Sequence, residues 1–346
     1  MATTSPVVRV NAMKAVAFRE NLPVDRADCL VDIELTPPEA HGHDVFVRVE
    51  AVSVNPVDTK VRRNNPPPEG QWRVPGWDAA GVVEAVGAQV TRFRPGDRVW
   101  YAGDLTRQGS NAQFQAVDAR LVGRMPVSLG FAQAAALPLT AITAWELLFD
   151  RLQVHDAEGR LLVVGAAGGV GSILLQLARE LTRLTLIATA SRPETEAWVR
   201  KLGAHHVIDH RQPLAQALRA AGIESVTHVA SLTQTDLHYA QLVEALAPQG
   251  RLALIDDPAG PLDVLALKRK SLSLHWELMF TRSLYQTADM AEQGTLLDAV
   301  ADLVDAGRLR STLGEHFGAI NAANLRRAHA LLESGRARGK IVLEGF

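Results

Sequence analysis

The chain has 346 residues, 47% of them hydrophobic and 21% charged, and its 36 basic and 38 acidic side chains leave a formal net charge of −2. That length predicts two domains, and the missing basic excess excludes a nucleic-acid surface built on net charge. Cys29 is the only cysteine, which excludes an intrachain disulfide, and residues 1–10 lack the apolar core of a signal peptide, so a cytoplasmic location is expected.

Residues 1–12 read as a loose extension, and residues 13–18 as the first strand. From there to about Pro126 the pattern is all-β. Residues 44–50 alternate as a half-buried strand, residues 81–87 form another, and Gly96-Asp97 turns the chain into residues 98–100. Pro66, Pro67 and Pro68 mark an exposed loop. At Ala132 the period becomes helical, with Leu137, Ala141, Ala144, Trp145 and Leu148 on one face. Gln133, Pro138 and Glu146 interrupt this apolar region, so it is not expected to span a membrane.

Leu161, Leu162, Val163 and Val164 then form a short buried strand that ends in Gly-Ala-Ala-Gly-Gly-Val-Gly. Val170, Ile173, Leu174, Leu177, Ala178 and Leu181 follow at helical spacing. Strand, glycine turn and helix open a Rossmann unit, in which glycines let the backbone approach a pyrophosphate and the helix N-terminus holds it. The fingerprint falls on Ala166, Gly168 and Gly171, with alanine in place of the first glycine, and Gly169 and Val170 complete the turn. A second strand covers residues 184–190. The residue about 20 beyond the last glycine is Ser191, followed by Arg192, with no carboxylate nearby. A hydroxyl and a guanidinium suit a ribose 2′-phosphate, which predicts NADPH over NADH; the alternative is a solvated Arg192. Further parallel strands are expected at residues 207–209, 226–232, 251–255 and 271–275. Helices are expected at residues 296–306 and 322–334, and a last strand at residues 340–343, separated from the sheet by residues 307–318, returns toward the first domain.

Several motifs together resemble the medium-chain dehydrogenase/reductases, in the zinc-type alcohol dehydrogenase-like branch near the quinone oxidoreductases. They are Val-Asn-Pro-Val-Asp-Thr-Lys at 54–60, Pro-Gly-Trp-Asp-Ala-Ala-Gly at 75–81, Pro-Gly-Asp-Arg-Val at 95–99 and Pro-Leu-Thr-Ala-Ile-Thr-Ala at 138–144. To these are added the glycine turn, Leu-Gly-Ala at 202–204, residues 273–280 and Gly-Lys-Ile-Val-Leu at 339–343. The resemblance implies an α/β chain with a GroES-like β-rich catalytic domain at 13–131 and 311–346. It also implies a Rossmann domain at 132–310, a cleft between them for the nicotinamide, and a dimer.

Zinc-dependent members carry a cysteine where this chain has Asn55, and Gly-His-Glu where it has Gly76, Trp77 and Asp78. Thiolate-based zinc is therefore not expected, and only Asp78 with His275 is left for a weak site. Asn55 is a candidate catalytic amide for the nicotinamide or a substrate oxygen, or else a turn residue before Pro56. Thr143, which matches a cofactor-contacting threonine of the family, suits the nicotinamide or bonds back within its helix. Tyr101 is a candidate proton donor or a core aromatic, and His275 a catalytic or a structural histidine. Lys340 reaches the cofactor phosphate or stays solvated. The expected activity is hydride transfer from NADPH to a small-molecule electron acceptor, a quinone or an α,β-unsaturated carbonyl, without metal. A zinc-dependent alcohol dehydrogenase and a non-enzymatic NADPH-binding protein are the alternatives. The strand near residues 271–276 is expected at a sheet edge, giving a homodimer through Leu272, Leu274 and Trp276.

Overall fold

The computed structural model describes residues 11–346, so residues 1–10 of the expected extension lie outside the described residues. The first strands, β1 (Met13–Ala17) and β2 (Val31–Leu35), pair antiparallel as a separate ribbon. The long strand β3 (Asp44–Val54) organises a seven-stranded sheet with β4 (Ala79–Val86), β5 (Arg98–Tyr101), β6 (Phe114–Asp118) and β7 (Val122–Arg124). Its alternating half-buried pattern continues into a fully buried end, because only the first part of the strand faces solvent on one side. One helix, Pro56–Asn64, interrupts the region read as all-β; proline at its first position and Asp58 in its first turn are ordinary helix-start signals.

The apolar stretch beginning at Phe131 folds as the helices Phe131–Ala135 and Pro138–Trp145, followed by a π-helical segment, Glu146–Arg151. By length and composition Phe131–Arg151 could cross a membrane, but its most apolar window is 78% buried inside the fold. It packs on the helix Gly169–Leu181, so its all-round hydrophobicity serves the core between two layers.

The second sheet is entirely parallel: β8 (Glu158–Val164), β9 (Arg183–Thr189), β10 (His206–Ile208), β11 (Val226–Ser231), β12 (Leu246–Leu254) and β13 (Ser273–Trp276). Its six strands run β10-β9-β8-β11-β12-β13, a doubly wound order that reverses on either side of β8. β13 pairs with β12 alone and forms one edge. Ser271, which ends the 3-10 helix Val264–Lys270, is left-handed at φ 52, so the strand begins later than residue 271. Lys270 is not a free surface charge: its ammonium donates to the carbonyls of Val243, Glu244 and Leu246 at 3.0, 2.7 and 2.7 Å, closing the end of the helix Thr235–Ala245. Past this domain, β14 (Leu313–His316) and β15 (Lys340–Glu344) rejoin the first sheet, β15 lying antiparallel to β3.

Candidate active site

Between the two sheets lies a cleft of about 730 Å³ at the carboxyl ends of the parallel strands. This is the crevice in which doubly wound sheets bind their ligands. Asn55, Val57 and Lys60 line it from one side, and Gly168, Ser191 and Met279 from the other.

The glycine turn forms one wall. Gly165 leaves β8 at φ +79, a conformation that favours glycine, and its N–H donates to Thr189 Oγ1 at 3.2 Å. Gly168 then caps the helix Gly169–Leu181, whose first bond runs from Ser172 N–H to Gly168 O at 2.9 Å. The N–H groups of Gly169, Val170 and Gly171 precede that bond and remain for a ligand. A Cβ on Gly168 would touch only Gly165 O, at 3.4 Å, so the space above it is open, as a pyrophosphate requires. A Cβ on Gly171 would press the Ala166 backbone at 2.5 Å, so this glycine serves helix–strand packing. Ala166 itself is buried and does not reach the cleft surface; the sharp turn is made by Gly165, directly at the strand end.

At the end of β9, Ser191 and Arg192 line the cleft. The Arg192 guanidinium pairs with Glu194 at 3.2 Å and donates to the Arg336 carbonyl at 3.4 Å, so it is held rather than freely solvated. At the other end, Thr143 lines the cleft while its hydroxyl donates to Leu139 O at 2.9 Å, the back-bonded state, which leaves its oxygen as an acceptor.

The base of the cleft is a closed polar knot. Lys340 is 3% exposed, and its ammonium donates to Val54 O at 3.0 Å, to Asp78 Oδ2 at 2.9 Å and to Asn55 Oδ1. Asn55 Nδ2 and Ser53 Oγ each donate to the same Asp78 oxygen at 2.9 Å, and Leu139 N–H donates to Asp78 Oδ1 at 2.8 Å. Asp58 accepts from Asn55 N–H beside them. Burial pushes the Asp58 carboxyl up to about 7; the Asn55 N–H and Lys340 oppose this, and Asp78 reinforces it. Lys340 therefore corrects both expectations made for it: it is neither solvated nor free for a phosphate. For Asn55 the structure favours the second of its two readings, the turn residue before Pro56, over a free catalytic amide. It reaches the cleft, but both ends of its amide are engaged, and it acts as the cap of its helix and a strut of the knot.

Two family models match the chain, an alcohol dehydrogenase GroES-like domain over residues 41–144 and a zinc-binding dehydrogenase domain over residues 202–343. A zinc-type alcohol dehydrogenase-like protein of Staphylococcus aureus is 37% identical over 336 residues, covering 96% of this chain and 99% of that protein. The chain belongs to the medium-chain dehydrogenase/reductase superfamily. A quinone oxidoreductase of Pseudomonas aeruginosa is 33% identical over 315 residues, covering 89% of this chain and 93% of its own length. The crystal structure of a candidate zinc-dependent alcohol dehydrogenase from Rhizobium etli superposes with a TM-score of 0.94 at 57% identity, covering 97% of this chain and 98% of that one. This medium-chain dehydrogenase/reductase is thus an oxidoreductase with quinone oxidoreductase and zinc-type alcohol dehydrogenase-like relatives.

The zinc that the family model's description implies does not suit this donor set. Zinc sites gather thiolate, imidazole or carboxylate ligands in a tetrahedron. Here the candidate positions hold an amide and one carboxylate, bridged by the Lys340 ammonium. Among the described residues no three His, Cys, Asp or Glu side chains cluster to hold a metal ion. The Asp78–His275 pair considered from the sequence does not form. His275 sits on edge strand β13 with Nε2 at 3.1 Å from Ser273 Oγ, and Asp78 is committed to the knot.

Two catalytic candidates are corrected by position. Tyr101 lies on β5 in the core of the first sheet, away from the cleft, and its hydroxyl is buried without a hydrogen-bond partner. Burial pushes that hydroxyl up, the wrong direction for a proton donor. His275 does not line the cleft either, and burial, helped by Arg251 and Arg151, pushes its imidazole down. In their place the structure brings Lys60, His210, His238 and Met279 to the cleft. Of these only His210 carried a usable signal, two residues past a strand end that faces the crevice.

Proposed function

We propose that this chain reduces a quinone or an α,β-unsaturated carbonyl with NADPH and does so without a catalytic zinc. The observation that carries the reading is the Lys340 ammonium seated between Asn55 and Asp78. A buried cation there neutralises Asp78 and leaves no vacant ligand set to polarise a simple carbonyl. The bound nicotinamide supplies a hydride, and conjugated acceptors need little polarisation because their negative charge delocalises. The chain's own task is then orientation. The N–H groups of residues 169–171 would hold the pyrophosphate, the Thr143 oxygen would accept from the nicotinamide amide, and Val57, Leu139 and Met279, which line the cleft, would offer an apolar wall to the acceptor. The kinship with a quinone oxidoreductase supports this reading.

An acceptor screen that follows NADPH oxidation, run beside metal analysis, tests it. Quinones and enones should support turnover and simple ketones should not, with well below one zinc per chain and no loss of activity to chelators. Stoichiometric zinc lost together with activity would overturn the reading in favour of an alcohol dehydrogenase. Tight NADPH binding with no turnover on any acceptor would replace it with a binding protein.

The NADPH preference rests on Ser191 and Arg192. Arg192→Ala should weaken NADPH by about 1.5 kcal/mol, roughly tenfold, the low end for a charge-assisted bond because Glu194 already shares the guanidinium. NADH affinity should hardly change, and equal losses for both cofactors would remove Arg192 from the phosphate site.

We also propose a homodimer, in the cytoplasm, joined along β13. The support is an edge strand flanked by exposed apolar side chains, Trp276 at 52% and Leu278 at 50%, with Leu272 and Leu274 half-buried beside them. Sedimentation at micromolar concentration should give a dimer, and Leu274→Pro should split it. A monomeric wild-type protein, or a folded variant that stays dimeric, would reject the interface.

A further inference from the structure

We propose that Glu277 is a positioning residue: it holds a proton at neutral pH, donates it to the Glu146 carboxylate, and through that bond fixes the wall of the cleft at residues 278–280; this rests on the reading above that the cleft holds the nicotinamide and its acceptor. Glu277 follows β13, and its N–H continues the strand pairing by donating to Leu254 O at 3.0 Å. Glu277 and the three residues after it line the cleft, but its side chain has no exposure and turns toward the π-helical segment Glu146–Arg151. Glu277 as a whole is 3% exposed and Glu146 1%. Oε2 of Glu277 accepts from Arg151 Nε at 2.9 Å, whereas its Oε1 is buried and no donor reaches it. The Glu146 carboxyl stands within hydrogen-bonding reach of Glu277, and its own Oε1 accepts from Arg282 at 2.6 Å and from Gln293 at 3.4 Å. Two buried carboxyls side by side, one with an oxygen that lacks a donor, are completed by a single proton between them.

The surrounding charges favour that proton. Arg282, on the helix Thr281–Leu284, is shared among Glu146, Asp150 and Asp289 at 2.6, 3.1 and 3.0 Å, and Arg151 serves Glu277. Two guanidiniums thus face four carboxyls. On β12, Arg251 donates to Leu152 O and Gln153 at 3.1 and 2.7 Å, and His275 of β13 is pushed down by burial and stays neutral. Glu277 is the member of the pair that keeps the proton. Burial, then the Glu146 charge and the bond to it, push the Glu277 carboxyl up to about 9, against the pull of Arg151. Burial raises Glu146 as well, but the bond from Glu277, Arg282 and Gln293 all lower it. The network ends at the cleft wall. Gln293, of the helix Glu292–Asp305, donates both to Glu146 and to the Met279 carbonyl. Glu146 therefore ties the chain at Glu277 directly and at Met279 through Gln293. If Glu277 ionises, two buried carboxylates repel each other and the tie opens.

Infrared difference spectra and kinetics on the full chain test the inference. At pH 8, wild type minus Glu277→Gln should show the carbonyl band of a protonated carboxyl. With NADPH and any acceptor that supports turnover, Glu277→Ala should raise the acceptor KM about tenfold, the loss of one buried hydrogen bond, and Glu277→Gln, whose amide can donate to Glu146, should recover most of that loss. Wild-type kcat/KM should fall as pH rises through about 9, where the proton leaves, and the Gln variant should show no such fall. A difference spectrum without the band overturns the proton assignment, as does a Gln variant that reproduces the wild-type pH profile. If the Ala variant does not fold, the spectrum and the Gln profile decide. Equal acceptor KM values for the wild type and a folded Ala variant overturn the positioning. A protein that binds neither NADPH nor NADH overturns the reading of the cleft and the positioning with it, whereas the proton on Glu277 is judged by the infrared band alone.

Discussion

Gly168→Val should leave a folded protein that no longer binds either nicotinamide cofactor. Gly168 has φ −73 and ψ −179, an extended conformation that valine adopts without strain. The protein itself offers no obstacle, since an added Cβ meets only Gly165 O, at the ordinary contact distance of 3.4 Å. The branched side chain would instead occupy the open space above the leading N–H groups of the helix Gly169–Leu181. A pyrophosphate displaced from those donors loses several charge-assisted bonds together, and a loss of about 3 kcal/mol, or a hundredfold, is a lower bound. NADPH and NADH should suffer alike, because both carry the pyrophosphate. Fluorescence titration gives the affinities and thermal unfolding gives the control. Gly171→Ala supplies the contrast. Its Cβ would lie 2.5 Å from the Ala166 backbone, so that variant should lose stability as well as binding. A stable Gly168→Val protein with wild-type affinity would show that the phosphates bind elsewhere.

These two glycines also show what local sequence can reveal. A turn between a buried strand and an amphipathic helix is written within about twenty residues, so its type and the helix after it were legible. The assignment of roles within it was not. Alanine at the first fingerprint position drew attention to Ala166, whereas the residue that turns the chain is Gly165, whose positive φ no pattern displays. The helix Pro56–Asn64 was hidden for a different reason. It is short, its apolar content is small, and it lies among strands whose alternation dominates the region. Tyr101 could not be placed because a strand residue faces either the core or a cleft according to register, which is a property of the whole sheet. The knot at the cleft base was least legible of all. Lys340 and Asn55 stand 285 positions apart, and only the return of β15 to β3 makes them neighbours.

That knot yields the other large effect, for Lys340→Met. The substitution keeps most of the side chain's length, and with it the stem that lies against the glycine turn, where a Cβ on Gly169 would meet Lys340 Cδ at 2.8 Å. It removes only the charge. Asp78 is fully buried, and its remaining partners, Ser53, Asn55 and Leu139, are neutral. Removing one member of a buried pair and leaving the other charged costs about 3–5 kcal/mol. The loss should depend on pH in a determined direction. Asp58 sets that direction, and the variant should be most impaired at pH 8 and recover part of its deficit at pH 5. The Asp58 carboxyl is held up near 7, so the stability conferred by its neutral form is complete below the unfolded carboxylate range and lost as pH rises through about 7. Without Lys340, one of the influences that lower it is gone. Chemical denaturation at the two pH values measures both effects. The double variant Lys340→Met, Asp78→Asn closes the cycle: removing both charges should restore most of the stability at pH 8, because the penalty belongs to the unpaired ion and not to the lost contact. A single variant within 1 kcal/mol of wild type at pH 8 would mean that water reaches Asp78 and that the ammonium is not the cation that completes this site.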